Sequence, residues 1–138
     1  ILIFFQIIIG AFVSGLDAGK IYQTWPLMNN SIFPNDLTVD SLNKLLEFDN
    51  RSLVQFYHRN LAYLILIYST VLTIFIYKKR LLNLFTPTLI LLFFIFFQAF
   101  LGIFTLVTNL NIYLASAHQI SAVLLTLSAI NLYYYVTK

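Results

Sequence analysis

The chain has 138 residues, 60% hydrophobic and 9% charged, with a mean hydropathy of +0.86, a net charge of +3 and no cysteine. A soluble domain of this size could not cover so much apolar surface, so the class is an all-α integral membrane protein in contact with the lipid bilayer. The missing cysteines exclude intrachain disulfides, thiolate zinc sites and iron–sulfur clusters. The few juxtamembrane bases form no basic stripe, which excludes a nucleic-acid role.

The first apolar run, 1–16, reaches only roughly 24 Å as a helix, short of the ~30 Å hydrocarbon core. It begins at Ile1 with no basic segment before it. It therefore reads as a truncated transmembrane helix, and the chain as a fragment forming one membrane domain. The segment 17–52 holds all the acids, Asp17, Asp36, Asp40, Glu47 and Asp49, together with Trp25, Pro26 and Pro34. Within it, 41–48 has the pattern of a short interfacial amphipathic helix.

Three full spans follow, at 53–77, 84–108 and 112–136, each long enough to cross with some tilt. Pro87 is expected in the first turn of the third helix, where its missing N–H costs little. The connection 109–111 is so short that the third and fourth helices must be antiparallel neighbours. Lys78, Lys79 and Arg80 lie between the second and third spans, and Lys138 closes the fourth. By the positive-inside rule those ends face the cytoplasm or matrix, which puts 17–52 on the outer side, periplasmic or intermembrane.

An internal repeat runs through the spans. The pattern F-Q-x-x-x-G-x-F occurs at 5–12 and again at 97–104, and H-x-x-x-A-x-L occurs at 58–64 and again at 118–124. The implied architecture is a four-helix antiparallel bundle built from two helical hairpins. A pseudo-two-fold axis along the membrane normal relates them.

The repeat aligns the only two histidines, His58 and His118, at roughly 8 and 9 Å below the outer helix ends. An imidazole inside a span is a functional-site hypothesis by default. Two of them converging on one axis can hold a metal from opposite sides. Neither His has a carboxylate or cysteine beside it to complete a zinc site, whereas haem iron needs only two axial ligands. Two imidazoles leave no open iron position, which suits electron transfer. The competing reading is that each His forms an interhelical hydrogen bond.

Gly10 and Gly102, matched by the repeat, supply either room for a macrocycle or close helix packing. Arg59 lies near the outer interface, within reach of a haem propionate or a lipid phosphate, with Arg51 as a second candidate. Gln55, one turn before His58, can steer the imidazole or a propionate. Gln6 and Gln98 should face the bundle and bond between helices. No nucleophile–base pair or phosphate loop is present, so no catalytic residue is assigned.

Four blocks carry a resemblance: G-A-F-V-S-G-L-D-A-G at 10–19, Y-Q-T-W-P-L-M at 22–28, V-Q-F-Y-H-R at 54–59 and A-S-A-H-Q at 115–119. Together they resemble haem A synthase over essentially the whole chain. That family has eight transmembrane helices in two homologous halves. It oxidises the methyl group of haem O to the formyl group of haem A for cytochrome oxidase. The resemblance is to the C-terminal half, where a b-type haem lies between two histidines that map onto His58 and His118.

In the family's N-terminal half a Glu stands three residues before the first His. Here that position is Gln55. The resemblance thus implies an oxidoreductase whose haem O substrate occupies the missing N-terminal half, with electron transfer in this one. Haem O synthase and a second copy of the chain are the further partners considered. A stand-alone b-type cytochrome carrier and a haem-free assembly or scaffold protein are the alternatives.

Overall fold

The computed structural model describes residues 1–37 and 48–138. Among these residues the chain forms four α-helices, α1 (Leu2–Gly15), α2 (Arg51–Lys78), α3 (Leu82–Val107) and α4 (Ile112–Thr137), and one 3-10 turn, Ala18–Lys20. The helices α2, α3 and α4 are each long and apolar enough to cross a membrane, while α1 is shorter. The helix expected at 41–48 lies, apart from Phe48, outside the described residues.

Local chemistry sets the ends. Asn50 caps α2, its side chain accepting from Leu53 N at 3.1 Å. Asn111 caps α4, accepting from Tyr113 N at 3.0 Å and Leu114 N at 3.4 Å. Such caps satisfy backbone donors that no helical carbonyl can reach. The chain leaves α1, α2 and α3 through left-handed residues, Asp17, Arg80 and Asn109. After α2, Leu81 N returns to Ile76 O at 3.1 Å, and after α3, Leu110 N returns to Thr105 O at 2.9 Å. These are Schellman closures made without glycine. Because α3 starts at Leu82 rather than at 84, Pro87 lies about half a turn deeper than expected and is buried inside the helix.

In sequence order, α1 packs along α2, α2 along α3, and α3 along α4. One apolar core draws on all four helices. Ile65, Leu91, Ile95, Leu125 and Leu132 are buried at its centre, and Leu2, Ile3 and Leu61 pack against it. Polar side chains within the spans return their hydroxyls to their own helix. Ser69 donates to Ile65 O at 2.8 Å, Thr73 to Ser69 O at 2.8 Å and Thr88 to Leu84 O at 2.7 Å. This satisfies groups that hydrocarbon cannot.

The outward faces are strongly apolar, with Phe4 64% exposed, Ile67 62% and Phe93 62%. That surface would drive aggregation in water and is the expected solvent-facing surface in lipid. All-helical architecture and membrane-length apolar helices make this an integral membrane protein.

Candidate functional site: a repeated histidine grip

His58 lies on α2 and is held from α1. Gln6 Nε2 donates to the His58 backbone carbonyl at 3.0 Å and lies 3.2 Å from the ring Nδ1 and 3.4 Å from Nε2. One turn further along α1, a Cβ added at Gly10 would stand 3.0 Å from His58 Cε1. His118 lies on α4 and is held from α3. Gln98 Nε2 donates to the His118 carbonyl at 2.9 Å, and a Cβ at Gly102 would stand 3.1 Å from His118 Cε1.

The same three residue types thus meet in both hairpins in the same way. A glutamine holds the histidine's backbone, and a glycine four residues later leaves space for the edge of the ring. Small residues let helices approach closely in lipid, where interhelical polar contacts have no water to compete with them. Gly10 and Gly102 serve close approach, and the group they admit is the imidazole itself.

Three buried side-chain polar atoms have no hydrogen-bond partner among the described residues: Gln6 Oε1, Gln55 Oε1 and His118 Nδ1. Two of them belong to the grips, Gln6 Oε1 on the amide that touches His58 and His118 Nδ1 itself, while the Gln55 amide lies on the outer segment at Tyr22 O. Unsatisfied buried groups call for an explanation, of which an absent ligand is one. No three His, Asp or Glu side chains converge among the described residues. The donor set, two neutral imidazoles inside an apolar bundle, fits a group that asks the protein for two ligands only.

Gln55 and Arg59 serve the outer segment. Gln55 Nε2 donates to Tyr22 O at 2.8 Å. The Arg59 guanidinium donates to the same carbonyl at 2.9 Å and to Leu27 O at 3.4 Å. Both side chains therefore fasten the residues after α1 onto the outer turn of α2. Arg51, the second candidate, opens α2 and is exposed.

Sequence reasoning missed the rest of this latch. The Tyr22 hydroxyl donates to Asp36 Oδ1 at 2.6 Å and accepts from Asn35 N at 3.1 Å. Ser52 Oγ donates to Asp36 Oδ2 at 2.5 Å, and Trp25 Nε1 donates to the Tyr63 hydroxyl at 2.9 Å. Gly19 packs against the Leu110 side chain, tying the segment to the turn before α4. Burial and the Asp36 contact push the Tyr22 phenol above its usual range. For Asp36, burial acts upward, but the hydrogen bonds from Ser52 and Tyr22 outweigh it and hold the carboxyl below its usual range. The signal available in the sequence was the dense 22–28 block, whose tyrosine and tryptophan are unusual in a surface connection.

Similarity searches agree with one another. A protein named heme A synthase from Pelagibacter ubique (strain HTCC1062) is 44% identical over 126 residues, covering 89% of this chain and 36% of that protein. One of the same name from Wolbachia pipientis wMel is 41% identical over 138 residues, covering 100% of this chain and 38% of that protein. Another, from Bartonella tribocorum, is 38% identical over 131 residues, covering 94% of this chain and 37% of that protein. The chain thus spans somewhat more than a third of the length of these relatives. No solved structure matches. The family described as cytochrome oxidase assembly protein matches residues 1–130, both histidine grips included. By that match, this chain belongs to the cytochrome oxidase assembly protein family.

Proposed function

We infer that this chain is the C-terminal, electron-transfer half of a haem A synthase, with a b-type haem held between His58 and His118. The observation that carries this reading is the repeated grip. Both histidines of the chain are held by the same Gln and Gly arrangement from the preceding helix, and two buried unpartnered polar atoms, Gln6 Oε1 and His118 Nδ1, belong to these grips. A structural histidine with one interhelical bond needs neither the duplication nor the cleared ring edges.

When bound there, haem supplies one-electron transfer. His58 and His118 would hold it, and the apolar helices would exclude water around them. In the full-length protein the reaction is oxidation of the haem O methyl group to the formyl group of haem A, with haem O bound in the N-terminal half. Gln55, standing where that half carries a Glu, supports a division of labour in which this half is not catalytic. Haem O synthase and a second copy of the chain are the partners to test.

The reading includes an antiparallel bundle of two hairpins related by a two-fold rotation. The packing of α1 on α2 supports the antiparallel part of it, since Leu2 and Ile3 join the core of Ile65 while Gly10 meets His58. It also places the 17–52 segment on the periplasmic or intermembrane side, with Lys78, Lys79 and Arg80 opposite.

The test is a reduced-minus-oxidised spectrum of the full-length protein and of its His58→Ala and His118→Ala variants. Loss of the low-spin b-type signal in each variant is expected. An unchanged signal in either refutes bis-histidine ligation.

A further inference from the structure

The two grips share the glutamine-to-carbonyl bond but differ around the glutamine: Gln6 Nε2 also lies 3.2 Å from His58 Nδ1, whereas His118 Nδ1 has no partner among the described residues. The Ser121 hydroxyl lies against both Gln98 Oε1 and the His118 carbonyl. The Gln98 amide is therefore engaged at both ends, nitrogen on the His118 backbone and oxygen on Ser121. The repeat puts Leu61, not serine, three residues after His58, and Leu61 packs against the apolar core. A leucine has no proton to give, and Gln6 Oε1 is buried without a partner. The Gln6 amide is held only at its nitrogen, and that nitrogen also lies against the His58 ring.

An imidazole that gives Nε2 to a metal keeps its proton on Nδ1, and such a proton is normally donated to a neighbouring acceptor. Gln6 Oε1 is an acceptor without a donor, on the one amide that already reaches Nδ1. A rotation of the terminal Gln6 torsion, which is broad and soft, exchanges nitrogen for oxygen beside the ring. The oxygen cannot bond the His58 carbonyl 3.0 Å away, so the side chain must also shift off it toward Nδ1, and the carbonyl keeps its place in the helical ladder. Gln98 lacks this freedom because Ser121 occupies its oxygen.

We propose that Gln6 is a positioning residue for His58 as a metal ligand, its amide oxygen accepting the Nδ1–H, while Gln98 holds only the backbone of His118. This rests on the haem reading above. With haem bound, the two histidines would be unequal ligands, because an acceptor on Nδ1–H would make the His58 ring the stronger electron donor and favour the ferric state.

A redox titration of the full-length haem-loaded protein tests it. Loss of one such hydrogen bond in Gln6→Leu should change the ferric-to-ferrous preference about fivefold, raising the midpoint potential by about 40 mV at 59 mV per tenfold. Leu61→Ser gives Gln6 Oε1 a hydroxyl partner while leaving Gln6 in place, and should raise the midpoint in the same direction. Gln98→Leu should weaken haem retention with the midpoint unmoved.

No shift in Leu61→Ser and Gln6→Leu together overturns the proposal, as does a shift in Gln98→Leu equal to that in Gln6→Leu. The histidine variants separate this failure from that of the haem reading. If His58→Ala and His118→Ala each lose the low-spin signal while the Gln6 and Leu61 variants stay unshifted, only the positioning role falls.

Discussion

Gly102→Ala adds a single methyl group against one imidazole and nothing else in the grip. The new Cβ would stand 3.1 Å from His118 Cε1, where carbon–carbon contact is comfortable only from about 3.5 Å outward. The ring must retreat by about 0.4 Å or more, close to the roughly 0.5 Å within which a ligating group must be held. Overpacking of this kind costs about 1–3 kcal/mol, a loss of about fivefold to 140-fold in haem affinity at 1.4 kcal/mol per decade.

The same change removes a helix-interior glycine, which returns about 1 kcal/mol of helix propensity. Unfolding stability should therefore move little while haem affinity falls, and the low-spin spectrum should acquire a high-spin fraction. Gly15→Ala is the control, because a Cβ there has nothing within 4 Å. Haem titration monitored by absorbance, beside thermal unfolding, reads both quantities. Equal haem affinity in Gly102→Ala and Gly15→Ala would refute the argument that the glycine makes room for the ligand.

Arg59→Ala removes two charge-assisted bonds to Tyr22 O and Leu27 O. At about 2 kcal/mol together for a half-exposed group, protection of the Met28 amide against hydrogen exchange should fall roughly thirtyfold, and unchanged protection would show that Arg59 does not hold the segment. Asp36, held below its usual carboxyl range in the fold, contributes stability above the unfolded pKa of about 3.9. That contribution is lost as pH falls through the lower folded value. Fluorescence of Trp25, the only tryptophan, should report an acid transition of the outer segment that Asp36→Asn abolishes. Tyr22, raised in the fold, contributes below pH of about 10 and loses that contribution as pH rises through its folded value. Tyr22→Phe should remove that alkaline transition and release Asp36 Oδ1, whereas an unchanged alkaline limb would separate Tyr22 from the latch.

The helices were legible because apolar runs of membrane length admit few other structures. The grip was half legible. Gln6, Gly10, Gln98 and Gly102 stood out because polar and small residues recurred in register within apolar helices, and both glutamines do bond between helices. That each glutamine seeks a histidine carbonyl was not legible, because a backbone acceptor leaves no mark on the sequence. The Ser121–Leu61 difference is visible in the aligned repeats but gains meaning only once the Gln98 oxygen is located. The outer segment was the least legible: Gln55 was read as able to steer the imidazole or a propionate, and Arg59 as within reach of a propionate or a lipid phosphate, while their bonds to the Tyr22 and Leu27 carbonyls leave no mark on the sequence. Pro87 shows the limit on boundaries. Arg80 accepts a left-handed turn that a sequence reading reserves for glycine, so α3 starts earlier than its apolar run.

The proposed function stands or falls on one haem iron held by both His58 and His118. A high-resolution structure of the full-length haem-loaded protein tests it most directly. His58 and His118 Nε2 are each expected about 2 Å from one iron, as in other imidazole–metal bonds, with Gln6 Oε1 facing His58 Nδ1. A haem bound elsewhere, or one bound here through any other pair of side chains, would contradict it.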